Sequence, residues 1–255
     1  MQDQSTPAVG ELLDLAGQSV LVTGASGNIG RGIAARLGEA GATVVVHYHT
    51  NRRDAEALAA QLEAATLVRA DLSNAGDVDA MFSDATPDLV VNNAAVQPVQ
   101  SLTDMSLDEW RSMMAANLDS AFLTTRRAAE RWRSAGRPGA VVNIASIEGV
   151  DPAAGHGHYA TSKAGLLMFT RAAALEFGPA GIRVNAVSPG LIDREGLADD
   201  WPEGVRRWQD RAPLRRMGSP NDVADAVLFL LCPAARWISG TNLVVDGGMS
   251  AQSRW

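Results

Sequence analysis

The chain has 255 residues, 46% of them hydrophobic and 20% charged, with a net charge of −7. That balance suits a soluble globular protein with ample core material and argues against nucleic acid as a partner. The lone cysteine, Cys232, excludes an internal disulfide and reads as a buried thiol in the apolar run AVLFLLCPAA.

Residues 1–16 carry neither a basic region nor an apolar stretch of signal-peptide length. They read as a mobile N-terminal extension. No run reaches transmembrane length, so no membrane partner is expected and a cytoplasmic location follows by default. The remainder, 17–255, reads as a single domain. Apolar strands are expected at 18–24, 42–48, 66–71, 88–95, 140–146, 182–188 and 242–246. Helices are expected at 28–40, 52–64, 75–84, 107–135, 157–177 and 221–232. The long central helix opens with SLDEW, where Ser106 can cap and Glu109 can reach back. The arginines between Arg126 and Arg137 fit a solvated helix face. Strands apolar on both faces that alternate with helices predict an α/β fold. Its form is a Rossmann-type, doubly wound, parallel seven-stranded sheet with helices on both faces. The stretch 190–219 is rich in Gly and Pro, carries Trp201 and Trp208, and reads as an irregular substrate lid.

VTGASGNIGRG (22–32) follows the first strand and opens the first helix. Such a turn aims helix N–H groups at an anion. Gly24 permits a sharp exit, Gly30 allows close packing, and Ser26 and Ile29 line the turn. Asn28 stands where a glycine is usual, and is expected to serve because Asn tolerates a left-handed backbone. Dinucleotide sites often place an acid at the end of the second strand. Here HYHTNRR (47–53) has no carboxylate before Asp54. His49, Thr50, Asn51, Arg52 and Arg53 suit a ribose phosphate, which favours NADP(H) and leaves NAD(H) possible. Asp71, with Leu72 beside it, ends the third strand as a candidate partner for adenine.

HGHYATSKAG (156–165) holds the single lysine among 22 Lys and Arg residues. Tyr159 precedes Lys163 by four, so a helix puts both on one face. A nearby ammonium lowers a phenol's pKa, and lysine is a compact point charge where arginine is a broad fork. His156 and His158 lie two apart with no evident third ligand, so no metal site is expected.

Together these pieces resemble the short-chain dehydrogenase/reductase family in its single-domain form. The matching segments are TGASGNIG (23–30), NNAA (92–95), Asn117 in MAANLDSAF, Ser146 in VVNIAS, YATSK (159–163), RVNAVSPG (183–190) and ISGTNLVVDGG (238–248). They keep the family's order across residues 17–249. The resemblance implies that Tyr159 exchanges a proton with the substrate oxygen. Lys163 would lower its pKa and hold the nicotinamide ribose, Ser146 would bind the reacting carbonyl, and Asn117 would hold a relay water. Asn93, Ala94, Ala95, Ile144, Pro189, Gly190 and Ile192 would line the cofactor. Candidate substrate walls are Gln97, Ile147, Glu148, His156 and Trp201, with Val96, Leu197 and Trp208; the alternative for Trp201 and Trp208 is packing within the lid or at a subunit contact.

The chain departs from the family pattern at Asn28, at Gly27, where many NADP-dependent members carry a base, and at Arg194, where a threonine is usual. The expected function is an NADP(H)-dependent oxidoreductase moving a hydride between nicotinamide and a carbonyl or secondary alcohol. It would be a 3-oxoacyl or general ketone reductase. The alternatives are an NAD(H)-dependent sugar or polyol dehydrogenase and a non-catalytic cofactor sensor. The Tyr159–Lys163 pair with Ser146 and Asn117 speaks against the sensor. The resemblance also implies a homotetramer, built through 107–135, 157–177 and 238–249.

Overall fold

The computed structural model describes residues 6–84 and 87–251. Seven strands form one sheet: β1 (Ser19–Val22), β2 (Thr43–Tyr48), β3 (Ala65–Arg69), β4 (Leu89–Asn92), β5 (Gly139–Ile144), β6 (Ile182–Pro189) and β7 (Asn242–Val245). Their order is β3-β2-β1-β4-β5-β6-β7, and every pairing is parallel. The order reverses between β1 and β4, which opens a crevice at the carboxyl ends of the strands.

The doubly apolar strands explain the two covering layers. Val20, Val22, Val44, Val46, Val91 and Val142 join one core with helices α1 (Asn28–Glu39), α2 (Arg52–Ala59) and the later Pro220–Leu231 helix. Leu21, Val90, Val141 and Val184 face the other core. There they meet α3 (Ala75–Asp84) and the helices that follow β4 and β5.

The expected helix at 107–135 is divided. It runs as α4 (Leu107–Met114), a π-helical segment at Ala115–Asp119, and α5 (Ser120–Ser134). Its start is as expected: Glu109 N–H donates to Ser106 Oγ, and Ser106 N–H donates to Glu109 Oε2 at 2.8 Å. The expected solvated arginine face is partly buried and paired: Arg127 meets Asp79 and Glu130, and Arg137, beyond the helix end, meets Asp88. Next come α6 (Gly157–Phe177), α7 (Leu197–Asp200), α8 (Pro202–Arg211) and α9 (Pro220–Leu231).

Three boundaries differ from expectation. Helix α2 stops at Ala59, not 64, because the chain turns at Ala60–Leu62 to place Leu62 on Gly38 and enter β3. The stretch 190–219 is not wholly irregular. Pro202 suits the first turn of α8, and Gly204 lets the Trp201 indole lie against the helix backbone. The segment before β1 docks on the body: Leu15 is buried, its N–H donates to Ala40, and Leu12 accepts from Ala234 N–H. Burial of Leu15 drives that docking. Among the described residues, no helix is long and apolar enough to cross a membrane. The last residues, 252–255, lie outside the described ones.

Candidate active site

The β1–α1 turn is built around two glycines. Gly24 has φ +60°, and a Cβ there would lie 2.9 Å from the Ala94 Cα. A Cβ on Gly30 would come within 2.3 Å of the Gly24 carbonyl oxygen. Asn28 corrects the expectation: it is the first residue of α1, in right-handed backbone, so no left-handed tolerance is needed. Its Nδ2 instead donates to the Asp193 carbonyl at 2.7 Å, tying the turn to the segment after β6. The N-cap, Gly27, offers no side chain. The first-turn N–H groups, near Ser26 and Ile29, have no partner within the helix and suit an anion such as a pyrophosphate.

His47 escaped the sequence reading. Its signal was a lone histidine inside TVVVHY. Buried in β2, it accepts from Gly24 N–H through Nδ1 at 3.1 Å, and its Nε2 lies 3.1 Å from the Ala70 carbonyl. One neutral tautomer satisfies both contacts. Burial pushes its pKa down to about 4.

At the end of β2, Asn51 is not free for a ligand. Its Oδ1 accepts from Asp54 N–H as the cap of α2, and its Nδ2 donates to Asp54 Oδ2. Arg52 is likewise committed, pairing with Glu56 at 2.7 Å. His49, Thr50 and Arg53 are exposed. Asp71 accepts from the Ser73 N–H and hydroxyl, which hold its carboxyl below the usual range, while Leu72 is buried beneath. Asn93 donates to the Thr23 and Gly24 carbonyls, and Ala94 N–H donates to Thr23 Oγ1. Ala95 follows at the crevice. Pro189 ends β6, Gly190 N–H donates to Val245, and Ile192 bridges to Gly218.

Ser146, Asn117, Tyr159 and Lys163 come together from three elements. Ser146 follows β5 and caps a short turn, its Oγ accepting from Glu148 N–H. Tyr159 and Lys163 lie on α6, both buried. Lys163 Nζ donates to the Ile144 carbonyl at 2.8 Å and stands 5.6 Å from the centre of the Tyr159 ring. Asn117 sits in the π segment. Its Oδ1 accepts from Val96 N–H and its Nδ2 donates to the Val96 carbonyl, both at 2.9 Å. Nδ2 also meets Met113 Sδ and Ser162 Oγ. The relay water expected of Asn117 therefore finds no free side-chain donor, because the protein already takes them. Behind the site, Asn92 donates to Thr125 and Asn143, and Asn143 donates to Thr170, a buried network that locks α5 and α6 to the sheet.

The electrostatics correct a second expectation. Burial pushes the Tyr159 phenol up to about 12, against the opposing effect of Ser146 and with help from the Glu148 charge. Burial brings the Lys163 ammonium down to about 8. The lowering expected from Lys163 is not among the influences on the phenol: the ammonium is directed at the Ile144 carbonyl, and desolvation of the ring dominates.

Beside Tyr159 lies a polar cluster. His156 Nδ1 is 2.8 Å from Glu148 Oε2, and Gln97 Nε2 donates to Glu148 Oε1 at 3.1 Å. The His156 ring meets Tyr159 edge-on with centroids 6.0 Å apart. Ile147 is half-buried between Ser146 and Glu148. Trp201 does not join this wall. Its indole packs on Gly204 and under Arg207, because α8 supplies a flat backbone surface there. Trp208 covers Gly190 and donates to the Arg216 carbonyl. Arg194, in place of threonine, pairs with Asp200 at 2.7 Å.

Comparison with known proteins agrees with this geometry. Residues 24–250 match a family model described as enoyl-(acyl carrier protein) reductase. The chain is 36% identical to 3beta-hydroxysteroid dehydrogenase 1 of Eggerthella lenta, over 93% of this chain and 95% of that one. It is also 36% identical to L-rhamnose 1-dehydrogenase (NAD(P)(+)) of Azotobacter vinelandii, over 92% and 97%. A solved Agrobacterium tumefaciens structure with bound NADP, provisionally assigned as 2-deoxy-D-gluconate 3-dehydrogenase, superposes with a TM-score of 0.88 at 32% identity, covering 94% of this chain and 99% of that one. The chain belongs to the short-chain dehydrogenase/reductase family and is a pyridine-nucleotide-dependent oxidoreductase acting between CH–OH and C=O.

Proposed function

We propose that the protein is an NADP(H)-dependent dehydrogenase/reductase of polar, polyhydroxylated alcohols and the corresponding carbonyl compounds. The observation that carries this reading is the Gln97–Glu148–His156 cluster beside Tyr159. A partly buried carboxylate and imidazole, with an exposed amide at their rim, disfavour apolar groups and reward hydroxyls that complete their hydrogen bonds. The sugar dehydrogenase among the relatives is consistent with it.

The β1–α1 turn, Asn93, Ala94, Ala95, Pro189, Gly190 and Ile192 would hold the dinucleotide, with Asp71 and Leu72 at the adenine end. Two features of the chain suit that group: glycines where a Cβ would block the turn, and uncapped N–H groups at the start of α1. When bound, the nicotinamide supplies or accepts the hydride. In reduction, Ser146 donates a hydrogen bond to the reacting carbonyl and Tyr159 delivers the proton. A phenol held near 12 is fully protonated at neutral pH and suits that direction. In oxidation the same oxygen receives the substrate's hydroxyl proton. Lys163 stands behind the phenol as the compensating charge.

A second reading is a 3-oxoacyl thioester reductase; the description of the matching family model names an acyl-carrier thioester, though an enoyl one, and so bears on the thioester alone. One screen separates them: aldoses, polyols, hydroxysteroids and 3-oxoacyl thioesters, followed by nicotinamide absorbance with each cofactor. Polyhydroxylated compounds are expected to turn over best. Preference for a thioester or a steroid would reject the leading reading. Tyr159→Phe serves as control, with cofactor binding kept and turnover lost by roughly a thousand-fold.

We further propose that the enzyme works in the cytoplasm as a homotetramer. Phe122 and Met168 on α5 and α6, and Val244 on edge strand β7, are exposed apolar side chains suited to subunit contacts. A monomeric mass by light scattering at micromolar concentration would reject the assembly.

A further inference from the structure

We propose that Arg69, the last residue of β3, is a specificity-determining residue that binds the 2′-phosphate of the adenosine ribose. The inference rests on the NADP(H) reading above and extends it to a residue outside HYHTNRR.

Register supplies the position. Arg69 is paired with Tyr48, the last residue of β2, so it stands level with the start of the segment that meets the ribose. A hydrogen bond supplies the orientation: Arg69 Nε donates to the His49 carbonyl at 3.2 Å. That contact fixes the plane of the guanidinium and uses one of its five N–H groups, leaving the terminal pair as a fork suited to a phosphate.

The neighbouring candidates are largely spent. Arg52 is neutralised by Glu56, and Asn51 is occupied by Asp54. The Asp71 carboxylate, which could oppose an anion, is turned into its own loop toward Ser73. Among the described residues, neither Arg53 nor Arg69 forms an ion pair with a carboxylate. A charge serving only to guard edge strand β3 would need no such orientation.

The test uses calorimetric binding of 2′,5′-ADP and 5′-AMP, two probes that differ by the 2′-phosphate alone. Wild type, Arg69→Gln and Arg53→Gln are compared after thermal melts confirm folding. Wild type is expected to bind 2′,5′-ADP at least about ten-fold more tightly than 5′-AMP. Arg69→Gln is expected to reduce that ratio by roughly ten-fold while leaving 5′-AMP unchanged. If wild type binds both probes equally, the NADP(H) reading fails and this inference with it. If wild type discriminates and Arg69→Gln discriminates equally well, the cofactor reading stands and the role of Arg69 is overturned. Equal weakening of both probes would also overturn it, by showing that Arg69 serves the adenosine or the fold.

Discussion

The imidazole of His47 and the backbone of Gly24 are joined by a 3.1 Å hydrogen bond, with the other ring nitrogen placed on Ala70. The glycine whose positive φ makes the β1–α1 turn is thereby pinned by a neutral, buried side chain from the next strand. Protonation would turn the acceptor Nδ1 into a donor facing Gly24 N–H.

That arrangement predicts a pH dependence of stability. The pKa of His47 is lowered from 6.5 to about 4 in the folded state. Below 6.5 the unfolded chain takes up a proton that the folded one does not, so stability falls as pH drops from about 6.5 to about 4. The loss approaches about 3 kcal/mol. Thermal melts across that range are expected to show the decline, and His47→Gln is expected to flatten it while lowering stability at pH 7. A parallel decline in the variant would place its origin elsewhere.

Lys163 predicts a trade between stability and activity. Its pKa is lowered from 10.5 to about 8 by burial. The cost of the buried charge is full below pH 8 and relieved as pH rises to about 10.5, so wild-type stability rises over that window. At pH 7 the cost is about 3 kcal/mol. Lys163→Met is therefore expected to be more stable in urea at pH 7 and inactive. Lys163→Arg must fit a larger fork into the same enclosed space, and is expected to lose activity by roughly a hundred-fold or more.

Glu148 predicts a shift in the rate profile. Its charge helps to raise the Tyr159 pKa. Removing it makes phenolate easier to form, so in Glu148→Gln the acidic limb of kcat for alcohol oxidation moves to lower pH. KM for a polyhydroxylated substrate rises in the same variant, because the amide keeps one acceptor oxygen where Gln97 and His156 each use one. An unmoved limb would show that Glu148 acts on substrate binding alone.

Asn117 predicts a stability loss from a residue that resembles a pure catalyst in sequence. Its side chain satisfies both backbone groups of Val96. Asn117→Leu keeps the volume and orphans them, and is expected to cost about 2–4 kcal/mol in denaturant unfolding. A loss below about 1 kcal/mol would show that water replaces the amide without strain.

Much of this was legible in the amino-acid order. The seven strands were visible because their runs are apolar on both faces, as a doubly covered sheet requires. Gly24 and Gly30 were visible because their spacing follows a strand and opens a helix. The break at Ala115–Asp119 was not, because a π segment carries no propensity signal; it accompanies the pairing of Asn117 with Val96, 21 residues away. Trp201 stayed open between pocket wall and lid packing, because a large aromatic in a Gly- and Pro-rich stretch suits either; Gly204 gave it a helix within the lid to lie on.

The sequence by itself determined the layer order, the phosphate turn and the placing of Tyr159 four residues before Lys163, since each depends on local spacing. Only the tertiary structure decided which partners those groups meet. Lys163 turns to a carbonyl 19 residues back, His47 joins β1 to β3, and Arg69 reaches the end of β2. Hydrogen-bond partners and desolvation are set by the packing of segments distant in the chain, and it is desolvation that moved the Tyr159 phenol opposite to the direction its neighbouring lysine implied.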